Sequence, residues 1–280
     1  MQEKRGFSCQ VKGSGLAVTK QFGASGIYIP KKSMRKVLKW IGGIIAGILV
    51  VGAIAALAVH EPLPQGEAGP EADRLARQML AATHKEAWDS THYVRWTFPG
   101  GHHYVWDKFR QLVQVEWDDK KVVLRTFDQS GKAWEGGVEQ QGVAAEKLLK
   151  KAWIFFCNDS FWLNAPSKAF DPGTSRSLVE LEDGRKGLLV SYSGGGVTPG
   201  DAYLWELDEA GLPTSWKMWV SVLPIGGIEI SWEEWVTLET GAKLATRHKV
   251  GFVTIEVENV RGGGSLAAIG IREGPFQLLD

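Results

Sequence analysis

Asp201-Ala-Tyr-Leu-Trp-Glu-Leu207, then Asp208-Glu-Ala-Gly211-Leu-Pro213, then Thr214-Ser-Trp-Lys-Met-Trp-Val-Ser-Val222 is the stretch that decides the fold. Two runs of bulky residues flank a turn rich in Asp, Gly and Pro, which is a β-hairpin pattern. On the first strand Tyr203 and Trp205 share one face and Leu204 takes the other. On the second, Trp216 and Met218 lie opposite Trp219. Strands with large apolar groups on both faces are shielded from water on both. One face can lie against a helix while the other lines a hollow.

The same grammar extends both ways from this hairpin. Upstream, His92, Val94, Trp96 and Phe98 alternate with Tyr93, Arg95 and Thr97 until Pro99-Gly100-Gly101, and β-rich runs follow over about 102–108, 111–118, 120–128 and 132–138. Ser177–Leu181 and Lys186–Ser193 flank Asp183-Gly184, a preferred hairpin pair. Downstream, Ile228–Leu238 and Lys243–Val250 flank Glu239-Thr-Gly241-Ala, and Val253–Val260 runs into Arg261-Gly-Gly-Gly264. Glu234 breaks the alternation of its strand, the mark of a bulge. Two helices interrupt the strands. The first spans about 71–87 with Leu75, Met79 and Ala82 on a stripe; the second spans about 142–157 with Ala145, Leu149, Trp153 and Phe156 on one face. Two helices cannot cover both faces of so many strands, so the sheet is expected to curl. The fold class is mainly β, a strongly curved antiparallel sheet or half-barrel with few helices. Trp96, Trp106, Trp117, Trp205, Trp219 and Trp232 are the candidate cavity-lining residues; a packed aromatic core is the competing reading.

Ahead of this domain, Trp40–Val59 holds 20 residues without a charge. At about 1.5 Å rise per residue a helix of that length spans roughly 30 Å, a bilayer's hydrocarbon core. Lys31, Lys32, Arg35, Lys36 and Lys39 precede it and Glu61 follows, which keeps the N-terminus inside and sends the rest across. Residues 37–60 therefore read as a transmembrane anchor or signal helix, 61–70 as a linker and 71–280 as the exported domain. Ala56-Leu57-Ala58 fits a small-x-small cleavage rule, which would release the domain to the periplasm. Residues 1–36 read as a cytoplasmic tail, or as sequence ahead of a true start at Met34. Gly43 and Gly47 form a GxxxG pair that permits a homodimer.

The whole chain balances 32 basic against 32 acidic residues, but residues 61–280 carry 23 and 31, a net charge of −8. Such a domain has no electrostatic reason to bind nucleic acid. Cys9 and Cys157 fall on opposite sides of the membrane and cannot pair within one chain; the apolar surroundings of Cys157 suit a buried, inert thiol. His102 and His103 are strand neighbours and point to opposite faces, so they do not chelate one ion, and they read as turn-flanking surface residues. Asn158-Asp159 reads as the stop of the second helix. No Ser-His-Asp, Cys-His or metal signature is present, and no cofactor is expected.

The order of elements resembles LolA/LolB-type lipoprotein-sorting proteins: a leading helix, a run of antiparallel strands, a mid-chain helix, then strands joined by turns such as Asp208–Pro213. Phe161-Trp-Leu-Asn-Ala-Pro-Ser-Lys-Ala-Phe-Asp171 after Asn158-Asp159 is similar to a family of uncharacterised bacterial exported proteins of that fold. The resemblance covers about 66–262. It implies an unclosed curved sheet with helices in its concavity and an apolar pocket for acyl chains; no functional residue is carried over from it. The expected function is a non-catalytic envelope protein that binds a lipid or a lipoprotein acyl chain. The alternatives are an interaction protein whose aromatic core only stabilises it, and an enzyme that reuses the pocket.

Overall fold

The computed structural model describes residues 59–194, 200–272 and 274–279. The apolar segment up to residue 58, Gly43, Gly47 and the cleavage-like Ala56-Leu57-Ala58 lie outside them. Among the described residues no helix is long and apolar enough to cross a membrane.

Two short helices open the domain, α1 (Pro70–Ala82) and α2 (Lys85–Ser90). The sequence reads as one helix here, but Thr83 turns its hydroxyl back to the Met79 carbonyl at 2.9 Å and His84 takes φ 55°. A left-handed residue ends an α-helix, so the chain breaks and restarts. α1 buries Ala72, Ala76 and Met79, and Asp73 receives the Arg176 guanidinium at 2.6 Å. Residues 61–69 are not a free tether. The Glu61 amide donates to the Gly226 carbonyl at 3.0 Å, and Glu67 exchanges backbone hydrogen bonds with Leu178.

The strands that follow are β1 (Tyr93–Phe98), β2 (His102–Asp107), β3 (Leu112–Trp117), β4 (Lys120–Arg125), β5 (Gly131–Glu135) and β6 (Val138–Glu139). The long helix α3 (Gly142–Asn164) and a 3₁₀ turn, Ala165–Lys168, come next. Then follow β7 (Thr174–Glu180), β8 (Lys186–Tyr192), β9 (Ala202–Leu207), β10 (Pro213–Trp219), β11 (Ile228–Ser231), β12 (Glu233–Thr237), β13 (Lys243–Val250), β14 (Val253–Glu256) and β15 (Glu258–Gly263). All named pairs are antiparallel, and no sheet closes on itself. In place of one curved sheet the described residues form three: β15-β1-β2-β3-β4-β5-β6, β11-β10-β9-β8-β7 and β12-β13-β14.

The chain passes between sheets at Trp232 and at Val257. Trp232 still donates its amide to Thr214 of β10, and Val257 donates to Thr246 of β13. Two residues after each crossing a left-handed residue bends the strand, Glu234 at φ 53° and Asn259 at φ 55°. At Asn259 the register of β15 on β1 shifts by one residue, a bulge that re-aims the strand without ending it. β12 keeps its register on β13 through the left-handed Glu234, so the bulge expected there is absent among the described residues. Glu234 is the residue whose pattern-breaking marked it in the sequence.

α3 fills the space the sheets leave. Its first half buries Leu148, Ala152 and Phe156 against Val94, Trp96, Val113, Val115, Trp117 and Leu124 of the seven-stranded sheet. Beyond its end, Ala165 and Ala169 join Ala76 and Met79 of α1 on Leu188, Val190, Trp205, Trp216 and Ile230 of the five-stranded sheet. Burying each such side chain contributes on the order of 1.5–3 kcal/mol, so the domain is held by two aromatic cores on one helix.

Candidate functional site

The interior of the seven-stranded sheet is built from every second residue of β1, β2 and β3. Trp96 pairs with Tyr104 across β1 and β2, and their rings stack 4.4 Å apart. Trp106, two residues on, meets Phe156 of α3 edge-on at 5.1 Å, and Trp117 meets Phe155 at 5.5 Å. In the second core Trp205 pairs with Trp216 across β9 and β10, and Trp232 closes a triangle with ring centres 4.7, 5.0 and 4.9 Å apart.

Of the six tryptophans singled out in the sequence, Trp96, Trp117, Trp205 and Trp232 are buried and Trp106 is half-buried. The structure gathers Trp96, Trp106 and Trp117 into one core and Trp205 and Trp232 into the other. Trp219 stands apart. It faces the outer side of the five-stranded sheet with Val179, Leu189 and Leu204, and its indole donates to the Glu61 carbonyl at 2.8 Å.

Polar groups are sparse inside, and α3 organises one set of them. Asp159 is buried on this helix and accepts from Tyr104 Oη at 2.5 Å, from His102 Nδ1 at 2.7 Å and from Asn158 Nδ2 at 2.8 Å. Burial pushes its carboxyl above the usual carboxylate range, against the pull of those three donors. Burial, with the Asp159 charge beside it, raises the Tyr104 phenol strongly as well. Two expectations are corrected here. Asn158-Asp159 does not stop the second helix, because α3 continues to Asn164. His102 is not a surface residue: its side chain is 16% exposed and stacks on Phe155 at 3.9 Å. His103 points the other way, to Thr97 Oγ1 at 3.0 Å.

Asp107, Asp201 and His248 are further buried ionisable groups, and of these His248 lies in the second aromatic core. It lies fully buried against Trp162 and Trp232 with Nδ1 3.2 Å from the Ser231 carbonyl, and burial lowers its pKa to about 4. Cys157 is pushed up to about 12 by burial, so it is a thiol at neutral pH, not a nucleophilic thiolate. Among the described residues no group of three His, Cys, Asp or Glu side chains is placed to hold a metal ion.

Five indole N–H groups, those of Trp96, Trp106, Trp117, Trp216 and Trp232, are buried and meet no acceptor among the described residues. A buried donor left unpaired costs about 1–3 kcal/mol. Edge-to-face pairs such as Trp96 with Trp106 offer an aromatic face as a weaker substitute. This interior therefore combines large apolar surface with donors in need of oxygen.

The first core opens to the surface along α3. A groove of about 530 Å³ is lined by Gln129, Glu146, Leu149, Lys150, Trp153 and Ile154. Leu149 and Trp153 pack on the aromatic core from within and line this groove from without. Lys151 stands beside it over Trp117 and Phe155, its Nζ 5.6 and 5.1 Å from the ring centres. Sequence reading placed Leu149 and Trp153 on the helix's apolar face but gave no sign that they reach a surface groove.

No family model matches the chain, and no curated protein matches it. Among solved structures it is similar to a DUF1329 family protein from Desulfovibrio piger, at 10% identity over 70% of this chain and 96% of that one, with a TM-score of 0.37. It is also similar to a domain of Vibrio parahaemolyticus ascribed to outer membrane lipoprotein sorting, at 7% identity over 72% of this chain and 97% of that one, with a TM-score of 0.29.

Proposed function

We propose that this domain is a non-catalytic binder of an apolar ligand of the acyl-chain class, displayed on the outer side of a membrane in the cell envelope. The observation that carries the reading is the position of Leu149 and Trp153, shared between the aromatic core and the groove on α3. An acyl chain entering the groove would meet Trp153 first, and a modest outward shift of α3 would admit it to Phe155, Trp106 and Trp117. The unpaired indole donors of that core suit the oxygen atoms of an ester or carboxyl group. Lys150 at the rim supplies a cation for an anionic head, and its aliphatic stem can lie along the chain. Asp159, held by Tyr104 and His102, ties α3 to β2 and sets how far the helix can move.

Titration of residues 59–280 with a fluorescent fatty acid tests this reading. Saturable binding that weakens several-fold in Trp153→Ala and in Leu149→Gln, with unfolding midpoints near the parent's, supports it. If the parent binds no apolar probe, the aromatic interior is a structural core and the interaction-protein reading takes its place.

A further inference from the structure

The outer face of the seven-stranded sheet carries a second cleft, about 310 Å³, remote in chemistry from the aromatic interior. Antiparallel register sets its floor in rows. Arg95 of β1, Val105 of β2 and Gln114 of β3 line it in one row, which Arg261 of β15 continues at the cleft's edge; Glu258 of β15, Thr97, His103 and Glu116 form the next row. The segment after β15 folds back over this face, with Ile269 and Phe276 packed on Val105, Leu112 and Val123. Its turn at Gly270, φ 75°, sits directly above the two arginines. A Cβ built on Gly270 would lie 3.1 Å from Arg261 Nη1 and 3.5 Å from Arg95 Nη1.

Two guanidinium groups thus converge on one point from directly opposed strand positions. Like charges so placed repel, and the usual remedy is an acid between them. Neither arginine has an ion-pair or hydrogen-bond partner among the described residues. The domain does not lack acids, since residues 61–280 carry eight more acidic than basic residues. Glu116, the acid that lines the cleft, stands two strands away from Arg95 and is engaged by Gln114 Nε2 at 3.2 Å. Glu258 of β15 lies one row along, opposite Thr97, and makes no ion pair with either arginine. Farther along the floor, Thr97 Oγ1 accepts from Asn259 Nδ2 at 3.3 Å and lies 3.0 Å from His103 Nδ1, while Gln114 Oε1 is buried without a partner.

We propose that Arg95 and Arg261 form a clamp for a phosphate-class oxyanion, with the cleft floor receiving the hydroxyl groups of whatever carries it. Two forked donors converging from opposite sides match the geometry of a tetrahedral anion, which neutralises both charges at once. Gln114 Oε1 then accepts a hydroxyl that the protein itself does not supply. Trp96 and Tyr104 also border this cleft, but strand alternation sends their side chains to the face opposite Arg95, Thr97 and Val105, so the clamp is separate from the acyl site.

The test is isothermal titration of the full chain, purified in a non-ionic detergent, at fixed ionic strength. Inorganic phosphate is one probe, and glycerophosphoglycerol, a deacylated phospholipid headgroup, is the other. Saturable binding of either, weakened at least about tenfold in both Arg95→Gln and Arg261→Gln and unchanged in Lys121→Gln, supports the clamp. Preference between the probes assigns the source to free phosphate or to a lipid headgroup. Arg95→Lys and Arg261→Lys keep the charge but lose the fork, and should bind with intermediate strength. They also guard against a glutamine variant that fails to fold. Without phosphate, Arg261→Gln should melt no lower than the parent, since it relieves a repulsion. No saturable heat with either probe, or equal weakening by Lys121→Gln, overturns the proposal.

Discussion

His248 sits on β13 with no exposed surface, its ring 4.5 Å from Trp232 and 5.4 Å from Trp162. Burial is the first cause of its lowered pKa, and the carbonyl groups of Ser231 and Trp162 only partly offset it. The unfolded chain takes up a proton near pH 6.5, whereas the native state refuses it until about 4. Between those values the unfolded state binds more protons, so stability is complete above about 6.5 and falls as the pH drops toward 4. The size of the gap corresponds to about 3 kcal/mol, a large share of a domain's net stability. His248→Gln keeps a side-chain N–H and does not titrate. The assay is urea unfolding of residues 59–280, followed by tryptophan emission at a series of pH values. The other titrating groups act on parent and variant alike and cancel in the difference between them. That difference should be constant above pH 6.5 and should move by about 3 kcal/mol in favour of the variant by pH 4. A difference that stays flat across the window would refute the reasoning.

Tyr104→Phe deprives buried Asp159 of its shortest hydrogen bond and should lower the unfolding free energy by about 1–3 kcal/mol, measured by urea titration. Cys157, held near 12 by burial, should resist alkylation by iodoacetamide in the native protein and react once urea unfolds it. Trp205→Ala removes a ring packed between Trp216 and Trp232 and should cost about 3–5 kcal/mol, whereas Trp219→Ala, half-buried on the outer face, should cost clearly less. A reporter active only outside the cytoplasm, fused after Asp280, should be active and should lose activity when residues 40–59 are deleted.

Much of the strand pattern was legible because the turns announce themselves. Asp183-Gly184 and Asp208–Pro213 sit where the sequence places them, with β7–β8 and β9–β10 on either side. The alternation of Trp96 and Trp205 with neighbouring positions correctly assigned their faces. What was hidden depends on partners far along the chain. Asn158, Asp159 and Ser160 look like the end of a helix, since such residues favour caps and turns. In the fold Asp159 finds Tyr104, 55 residues earlier, and His102, 57 residues earlier, and α3 runs on. The splitting of one expected sheet into three follows from the crossings at Trp232 and Val257, and only Glu234 gave local warning of the first. The opposition of Arg95 and Arg261 arises from the pairing of β1 with β15, between the two ends of the domain. No local pattern reveals it.

Identifying what the native protein carries tests acyl binding most directly. The chain is purified from its own cell envelope without detergent contact after proteolytic release near residue 59, and the intact complex is weighed by native mass spectrometry. The account predicts a population heavier than the bare polypeptide by the mass of a lipid or fatty acid, lost when Trp153→Ala is purified in the same way. A single species at the polypeptide mass, with no acyl compound in its organic extract, would contradict it.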